Sequence, residues 1–304
     1  MLKRYSGNPI LQPIKEHPWE ALMVYNCAAV YEEGKIHLVY RAQGSPEGVS
    51  SLGYARSSDG FQIEERLASP VFEPEPGNEY ERFGCEDPRL TRIGNRFYMT
   101  YSAYGRVPNM AAEARLVQIG MTSISVKDFV KKNWRWSERG YPLLRVDNKS
   151  AVLFPEKIQG KYVMYHRIAP YIWVSYSTDL RNWFGHKIVM TPEEEWEYFR
   201  VSAGAPPIRT KKGWFLIYHG VDSKYCYRLG FVVIDRENPE KIIYRPKTPI
   251  LEPEEKYERS GVVPNAIFNC GAVVVDDELF IYYGAADTVV AVATANMSEI
   301  LSLI

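Results

Sequence analysis

The sequence predicts an all-β protein, a five-bladed β-propeller in which the N-terminal strand closes the last blade. One strand pattern occurs five times, a segment of small residues precedes each copy, and a proline-marked segment follows most of them. The 304 residues include 22 Tyr, 21 Gly and 20 Pro, which suits many short strands joined by tight turns. Four antiparallel strands repeated five times are typical of a propeller. We therefore expect residues 1–304 to form a single domain.

The central strand of each repeat is a polar turn followed by alternating aromatic and aliphatic residues, the two-residue period of a β-strand. It occurs at residues 34–40, 95–101, 160–166, 213–219 and 277–283. The small-residue strands before it are predicted at residues 26–31, 87–93, 151–155, 205–208 and 269–275. The strands after it are predicted at residues 51–57, 116–122, 172–177, 227–234 and 288–294. Helical periodicity is nearly absent, and only residues 123–131 are expected to form a turn or two of helix.

Proline-marked segments predict the fourth strand of each blade. They are Ser69-Pro70-Val-Phe, Tyr141-Pro142-Leu-Leu and Thr248-Pro249-Ile-Leu, with Lys187-Ile-Val-Met-Thr191-Pro192 as a degenerate copy. The fifth copy stands at the other end of the chain, as Asn8-Pro9. The N-terminal strand is therefore expected to complete blade five, which closes the ring and protects both sheet edges.

Composition excludes several classes of partner. Lys plus Arg and Asp plus Glu both number 37, so the net charge is zero, and neither a nucleic acid nor a membrane surface is expected to bind. Cys27, Cys85, Cys226 and Cys270 form no C-x-x-C pair, and the first residues contain no hydrophobic signal region. These features predict a cytoplasmic protein and leave homo-oligomerisation open.

The repeat places polar residues around one mouth of the axial channel, because the first strands of all blades line that channel. Near the start of these strands, alignment of the repeats puts Asn26, Asp87 and Asn269 in one column, with Asn148-Lys149 and Gly204-Ala205 in the same region of blades three and four. The second strands end in the column Tyr40, Tyr101, His166, His219 and Tyr283, followed by the column Arg41, Ser102, Arg167, Gly220 and Gly284. The residues differ from blade to blade, which indicates that the five copies line one asymmetric pocket.

The chemistry of these columns favours an anionic substrate. Arginine binds phosphate oxygens bidentately and lysine supplies a point charge, and Arg41, Lys149 and Arg167 all fall in this region. Asp87 is the candidate proton donor, with a pKa that burial is expected to raise. Taken alone, the run Glu86-Asp87-Pro88-Arg89 is equally consistent with an ion-paired corner, and a single histidine such as His166 is more typical of the core. The sequence contains no metal-binding motif, so metal catalysis is not expected.

Taken together, seven segments resemble glycoside hydrolase family 130, the inverting β-mannoside phosphorylases and their few hydrolase relatives. They are Glu86-Asp87-Pro88-Arg89, Ala151-Val-Leu-Phe-Pro-Glu-Lys157, His166-Arg167, Ala203-Gly-Ala-Pro-Pro207, Leu216-Ile-Tyr-His-Gly-Val221, Tyr227-Arg-Leu-Gly230 and Ile281-Tyr-Tyr-Gly-Ala-Ala-Asp287. With Asn26 and Arg41 from blade one, the resemblance extends over essentially the whole chain.

The resemblance implies a glycosyltransferase-type phosphorylase that cleaves β-mannosides with inorganic phosphate and yields α-mannose 1-phosphate. No cofactor is expected beyond phosphate as co-substrate. The expected linkage is β-1,4, with mannose, glucose or N-acetylglucosamine as acceptor. By this resemblance Asp87 is the general acid and acts through a hydroxyl of the mannose ring.

The remaining candidate residues divide between sugar and phosphate. The sugar-binding set is Asn26, Arg41, Glu86, His166 and Asp287. The phosphate-binding set is Lys149, Arg167, Arg200, His219 and Tyr227. Arg200 stands where the family pattern has lysine, which keeps the charge and changes its geometry. The acceptor is expected to be selected by loops 104–110 and 193–200.

Two other functions remain open at this point. An inverting hydrolase on the same propeller needs a second carboxylate across the sugar to activate water, and Glu86 or Asp287 is the candidate. A phosphorylase does not need that base, because phosphate is already an anionic nucleophile that requires positioning and charge compensation. A non-catalytic sugar-binding propeller would leave Asp87 dispensable.

Overall fold

Five antiparallel β-sheets follow one another along the chain, and their first strands contact one another around a common axis. This arrangement, seen in a computed structural model that describes residues 2–106 and 114–304, confirms the predicted five-bladed propeller. The strands of blade one are Met23–Glu32, Lys35–Gln43, Ser51–Ser57 and Ile63–Arg66. Those of blade two are Gly84–Ile93, Arg96–Arg106 and Arg115–Ser125. Those of blade three are Lys149–Leu153, Tyr162–Ile168, Tyr171–Ser177 and Phe184–Met190.

Blades four and five complete the ring. The strands of blade four are Arg200–Ala203, Ile208–Arg209, Trp214–Val221, Tyr227–Ile234 and Ile242–Tyr244. Those of blade five are Ile267–Val275, Glu278–Ala285, Val289–Asn296 and the N-terminal Lys3–Arg4. The α-helices are Val126–Val130, Lys256–Arg259 and Met297–Leu301, and the 3₁₀ turns are Pro18–Glu20, Glu79–Glu81 and Glu195–Glu197. Across the described ranges, no helix is long and apolar enough to cross a membrane.

Two predictions about strands need correction. In blades one and four the proline-marked segments are not the fourth strands, which come earlier in the chain as Ile63–Arg66 and Ile242–Tyr244. These two segments instead add a single bridge to the third strand, at Leu52–Phe72 and Leu229–Leu251, and proline has no N–H to continue a ladder. In blade three the prediction holds in part, because Lys187–Met190 lies in the fourth strand. The first strand of blade four is also split around residues 204–207, where Pro206-Pro207 interrupts the pairing.

The predicted closure of the ring by the N-terminal segment is confirmed. Lys3–Arg4 pairs with the third strand of blade five, and the backbone N–H of Ile10 donates to Val290 O at 2.9 Å. The side-chain amide of Asn8 also makes two hydrogen bonds to the backbone of Val292. It donates to the carbonyl at 2.8 Å and accepts from the N–H at 2.9 Å. First and last residues therefore share one sheet, and folding of blade five needs both ends of the chain.

A buried glutamate–arginine pair recurs in four blades, and we did not predict it from the sequence. A short helical turn before the first strand presents a fully buried glutamate, and an arginine from the outer part of the same blade meets it. The pairs are Glu20–Arg66, Glu81–Arg139, Glu197–Arg245 and Glu258–Arg4. In blades one, two and five a second-strand tyrosine also donates to the glutamate. An aromatic residue precedes each of these glutamates in the sequence (Trp19, Tyr80, Trp196, Tyr257), which is the signal that could have revealed the repeat.

In blade five this pair joins the two ends of the chain, so Arg4→Ala tests the closure. Arg4 Nε donates to Glu258 Oε1 at 2.8 Å, and its loss leaves a buried carboxylate without its cation. Removing one partner of a buried ion pair costs about 3 to 5 kcal/mol of unfolding free energy. We expect about 3 kcal/mol, because Tyr283 and two backbone N–H groups still donate to Glu258. Chemical denaturation measures it.

Lys3→Ala is the matched control for that substitution, since Lys3 lies in the same strand with an exposed side chain. Its unfolding free energy should equal that of the wild type. Equal stability of Arg4→Ala and Lys3→Ala would contradict the structural role of the Arg4–Glu258 pair.

Candidate active site

A β-bulge near the mouth of the channel shapes the first strand in blades one, two and three. The bulge residues Asn26, Asp87 and Ser150 have φ of 46°, 50° and 56°, in the left-handed region, and the strand pairing shifts at each of them. A bulge re-aims side chains that regular alternation would send to opposite faces. In blade two its result is visible, because consecutive Glu86 and Asp87 both bond Arg41. In blade two the bulge thus directs two consecutive side chains to one partner.

The ladder agrees with the alignment of Asn269 with Asn26 and Asp87. Each follows the residue that pairs with the column of Arg41, Ser102 and Gly284. Asn269 differs in its environment, because it pairs with Tyr283 before its strand shifts register and its fully buried amide bonds the backbone of Ala205, Gly271 and Tyr282. In blade three this position is Ser150, which the sequence analysis passed over in favour of its neighbours Asn148 and Lys149.

Among the described residues, hydrogen bonds to Asp87 involve only one of its two carboxylate oxygens. Its Oδ1 accepts from Asn26 Nδ2 at 2.8 Å and from Arg41 Nη1 at 3.3 Å. Arg41 in turn donates to Glu86 Oε1 at 2.7 Å and lies 4.6 Å above the ring of Tyr25. Among the described residues no group donates to Oδ2 of Asp87, and that atom is not fully enclosed. Oδ2 is therefore the oxygen available to a substrate.

The charges around the pocket give its carboxyl groups different proton affinities. Burial alone would raise the pKa of Asp87, but Arg41, Lys149 and Arg89 outweigh it and hold that pKa below the usual value. The expectation that burial raises this pKa is therefore wrong for the ligand-free protein. Burial does raise the pKa of Glu86 and, despite Arg41, that of Asp287 to about 6. Asp87 is accordingly the most readily ionised carboxyl of the three.

Arg89 fixes the backbone behind Asp87. Its side chain is 1% exposed and makes no ion pair with a described carboxylate. Instead it donates to the carbonyls of Asp87 at 2.8 Å, Gly204 at 2.9 Å and Ala203 at 3.4 Å. These acceptors belong to blades two and four, which are not neighbours in the ring. Arg89 therefore connects these two blades across the axis, behind the backbone of Asp87.

Three cationic side chains gather on the opposite side of the pocket without a carboxylate partner in the described parts of the chain. Lys149 and Arg167 are partners in the blade-three ladder, Arg167 Nη1 donates to Ser202 Oγ at 2.9 Å, and Arg200 bonds the hydroxyl of Tyr227. Burial and the neighbouring Arg167 lower the pKa of Lys149, and burial and Arg200 lower that of Arg167 to about 10. Cations that disfavour each other's charge in this way are suited to binding an anion.

His219 completes this cationic side as a neutral donor or acceptor. Its Nε2 lies 2.8 Å from both the backbone N and O of Asn269, and its ring stacks on Phe268 at 4.0 Å. Burial, with Arg89 next in effect, lowers its pKa to about 3. Tyr227 lies against the same Phe268 ring. The predicted set Lys149, Arg167, Arg200, His219 and Tyr227 is thus brought together by the structure.

His166 is placed differently from the prediction. Both of its ring nitrogens have partners, Asn148 at 3.0 Å on Nδ1 and Ser175 Oγ at 2.7 Å on Nε2, and the side chain is fully buried. Burial lowers its pKa to about 3. Both ring nitrogens of His166 are thus occupied by the protein, which argues against a direct contact with the sugar, and the side chain bonds Asn148, next to Lys149.

Unpartnered buried polar atoms mark the same region. Among the described residues they include Asn26 Oδ1, Ser102 Oγ, Ser150 Oγ, Arg167 Nε, Arg200 Nε and His219 Nδ1. Each such atom destabilises the folded protein by about 1 to 3 kcal/mol, and native structures contain few of them. These six atoms are enclosed on residues of blades one to four, around Asp87 and the three cations, and the described residues provide no hydrogen-bond partner for them.

Of the two loops predicted to select the acceptor, only the second is fully described by the structure. Residues 107–110 of the first predicted loop lie outside the described residues. The second loop, 193–200, contains the 3₁₀ turn Glu195–Glu197 and then Tyr198, which is 74% exposed. Phe199 follows and packs against Tyr225, with ring centroids 4.9 Å apart. Exposed aromatic rings thus lie next to Arg200, at the rim of the pocket.

Comparison with known proteins identifies relatives over the whole chain. The family model Glyco_hydro_130, described as beta-1,4-mannooligosaccharide phosphorylase, matches residues 2–304. A 1,2-beta-oligomannan phosphorylase from Thermoanaerobacter sp. strain X514 is 45% identical over 306 residues, with 98% of each chain covered. A beta-1,2-mannobiose phosphorylase from the same organism is 44% identical, again with 98% coverage of each. A beta-1,4-mannooligosaccharide phosphorylase from Ruminococcus albus is 31% identical, covering 99% of this chain and 90% of the relative.

Solved structures agree with the architecture. The beta-1,2-mannobiose phosphorylase of Listeria innocua, in complex with beta-1,2-mannobiose, superimposes with a TM-score of 0.84 at 27% identity, covering 99% of this chain and 98% of that one. A second structure, at 26% identity and a TM-score of 0.87, covers 98% of this chain and 94% of its own. It comes from work showing that the family of mannoside phosphorylases contains glycoside hydrolases that target beta-1,2 mannosidic linkages in Candida mannan.

Proposed function

The chain belongs to glycoside hydrolase family 130, and from that premise we propose that it is a β-1,2-mannoside phosphorylase. It transfers a terminal mannosyl group to inorganic phosphate, in that sense a glycosyltransferase reaction, and residues 1–304 act as one catalytic domain. The observation that carries this proposal is the cationic cluster of Lys149, Arg167 and Arg200, which lacks a carboxylate partner within the described residues. A site for neutral water needs no such cluster, whereas phosphate needs its charge compensated.

The proposed reaction uses the two sides of the pocket for different tasks. Phosphate bound by the cationic cluster attacks the anomeric carbon from the face opposite the leaving group, so the configuration inverts. The bond from that carbon to the leaving oxygen breaks as a bond to a phosphate oxygen forms. Asp87 supplies the proton that the leaving oxygen needs, through a mannose hydroxyl as the family resemblance implies. The reaction is balanced in protons. Hydrogen phosphate loses its proton when it becomes the mannosyl ester, and that proton returns Asp87 to its protonated form.

Asn26, Arg41, Glu86 and Asp287 are proposed to hold the sugar. Asn26 and Arg41 fix one oxygen of Asp87, which leaves the other to face the sugar. Glu86 is already bonded to Arg41, and a carboxylate tied to a guanidinium is poorly suited to act as a base. Asp287, with its raised pKa, is the remaining candidate base for a hydrolase.

The proposed linkage is β-1,2, ahead of the β-1,4 linkage expected from the sequence. Its support is the ranking of relatives, since the two proteins named for β-1,2 substrates are 45% and 44% identical and the β-1,4 enzyme is 31% identical. The description of the family model favours β-1,4. Both linkages therefore belong in the test.

The test is incubation of the protein with β-1,2-mannobiose and with β-1,4-mannobiose, each with and without phosphate. We expect mannose 1-phosphate and mannose in equal amounts, only when phosphate is present, and at a higher rate from the β-1,2 disaccharide. Two mannose molecules released without phosphate would instead identify a hydrolase. Bound but uncleaved disaccharide would identify a sugar-binding propeller, and a faster reaction on the β-1,4 disaccharide would restore the original expectation.

A further inference from the structure

We propose that His186, an exposed residue of the outer strand of blade three, is a positioning residue for the pocket. It acts through hydrogen bonds that pass from its ring to Ser175, then to His166, and then to Asn148, which precedes Lys149 in the sequence. The inference rests on the proposed phosphorylase function, because its kinetic consequence is weaker phosphate binding. The role is indirect, since His186 lies on the outer strand and acts on the pocket only through these side chains.

These four side chains form a hydrogen-bonded row across blade three, from the pocket to the outer surface. His166 Nδ1 lies 3.0 Å from Nδ2 and 3.3 Å from Oδ1 of Asn148. On the other side of the ring, His166 Nε2 lies 2.7 Å from Ser175 Oγ, which lies 2.7 Å from His186 Nδ1. The first three residues are fully buried, whereas His186 is exposed. An exposed ring is therefore connected to a buried amide beside the pocket.

The hydroxyl of Ser175 couples the directions of these hydrogen bonds, because it has one proton and lies between two ring nitrogens. If Ser175 donates to His186 Nδ1, then His166 donates to Ser175 from Nε2, and His166 Nδ1 accepts from Asn148 Nδ2. If His186 carries a proton on Nδ1, all three bonds reverse and His166 Nδ1 donates to Asn148 Oδ1. His166 is neutral in both cases, since burial lowers its pKa to about 3. The shorter distance to Asn148 Nδ2 favours the first direction.

Asn148 in turn fixes the start of the strand that carries Lys149. Its backbone N–H donates to Val117 O of blade two at 2.8 Å, and its side chain bonds His166. The backbone that follows is constrained, because Ser150 has a left-handed φ of 56°, which is unfavourable for residues other than glycine. No described carboxylate forms a salt bridge with Lys149, so the position of its amine depends on this backbone. Loss of the row should therefore displace a cation of the proposed phosphate site.

His186→Ala removes the outer end of the row at an exposed position, where substitutions change the unfolding free energy little. We expect the KM for phosphate to rise about 3- to 10-fold, the effect of losing one hydrogen bond. The KM for the mannoside and the melting temperature without phosphate should stay close to the wild type. His186→Asn should recover the wild-type phosphate KM, because its amide takes the place of Nδ1 and can donate or accept. Lys187→Ala is the matched control on the same strand, since Lys187 pairs with Glu240 at the surface and such pairs contribute little.

The position of the proton on His166 provides a readout that does not depend on activity, and NMR of the histidine ring nitrogens measures it. In the wild type this proton should be on Nε2. In His186→Ala the direction at Ser175 is no longer fixed, and His166 should become a mixture of its two tautomers.

Three results would each overturn the inference. They are an unchanged phosphate KM in His186→Ala, an unchanged tautomer of His166 in that variant, and a phosphate KM in His186→Asn as high as in His186→Ala. Wild-type activity that is independent of phosphate would refute the proposed function instead. The tautomer measurement would still show whether His186 controls His166, so the two failures are distinguishable.

Discussion

Asp87→Asn is expected to lower kcat for phosphorolysis by about 10²- to 10⁴-fold, the usual contribution of general acid catalysis. The amide keeps an oxygen that can accept from Asn26 and Arg41, as Oδ1 of Asp87 does at 2.8 and 3.3 Å. It cannot release a proton to a leaving group. Mannoside binding and melting temperature should therefore remain close to the wild type while turnover is lost. Turnover, disaccharide affinity and melting temperature measured on the same preparation check the prediction.

The charge balance around Asp87 makes this prediction more specific. In the free protein Arg41, Lys149 and Arg89 outweigh burial and hold the pKa of Asp87 below its usual value, so the carboxyl is ionised at neutral pH. A bound phosphate anion compensates the charge of Lys149 and removes part of that effect, which raises the pKa of Asp87 in the complex. We therefore expect Asp87 to become protonated when phosphate binds. The pH dependence of kcat/KM for the mannoside should accordingly differ between limiting and saturating phosphate.

A nitrophenyl mannoside provides the control for the Asp87→Asn variant. Its leaving group needs little protonation, so the variant should retain much more of its activity on this substrate than on mannobiose. If the only role of Asp87 were to form an ion pair that stabilises the start of its strand, the variant would instead melt at a lower temperature and keep its activity per folded molecule. Near wild-type turnover on mannobiose would show that Asp87 is not the acid, and Glu86 and Asp287 would then be tested.

Arg167→Ala is expected to raise the KM for phosphate by 30-fold or more, with little change in the KM for the mannoside. Losing one member of a buried charge pair in a complex costs about 2 to 5 kcal/mol, and Arg167 is only 8% exposed. Without phosphate the variant should not be destabilised by the lost charge, because Arg167 lies beside Lys149 and Arg200 and burial already lowers its pKa. Initial rates over a matrix of phosphate and disaccharide concentrations measure both KM values.

Two variants accompany this measurement. Arg167→Lys keeps the charge without the guanidinium fork and should recover part of the phosphate affinity. Arg209→Ala removes an arginine of blade four that pairs with Glu156 at the surface and should behave like the wild type, since exposed pairs contribute little. Equal increases in both KM values for Arg167→Ala would indicate a collapsed pocket, contrary to a role in phosphate binding.

The fold was predictable because its signal is repeated. Five copies of one alternating pattern determine five sheets, and the misplaced fifth copy at Asn8-Pro9 predicted the closure by the N-terminal strand. The fourth strands were misassigned because proline marks the crossover conspicuously, while the pairing residues before it, such as Ile63–Arg66, carry no distinct pattern. The Glu–Arg pairs were visible in principle, as an aromatic–glutamate dipeptide in four blades, but their partners lie some fifty residues away or at the other end of the chain.

The site was predictable as a set of residues and less so as a geometry. Alignment of the repeats found Asp87, Arg41 and Arg167, yet in blade three it stopped at Asn148-Lys149 and missed Ser150, because a one-residue bulge does not change the sequence pattern. The pKa of Asp87 was misjudged for a related reason. Burial can be inferred from one segment, whereas Arg41 and Lys149 act on Asp87 from two other blades.

The guanidinium of Arg89 has a consequence for the way that a polymer would be degraded. By bonding carbonyls of blades two and four, it joins these blades across the axis, and we infer that it closes the channel behind Asp87. We therefore expect a mannan chain to enter by its terminus and not to lie across the site. Each turnover would shorten the chain by a single unit from one end, and a linear β-mannan would show a steady stepwise ladder of products and almost no early fall in viscosity.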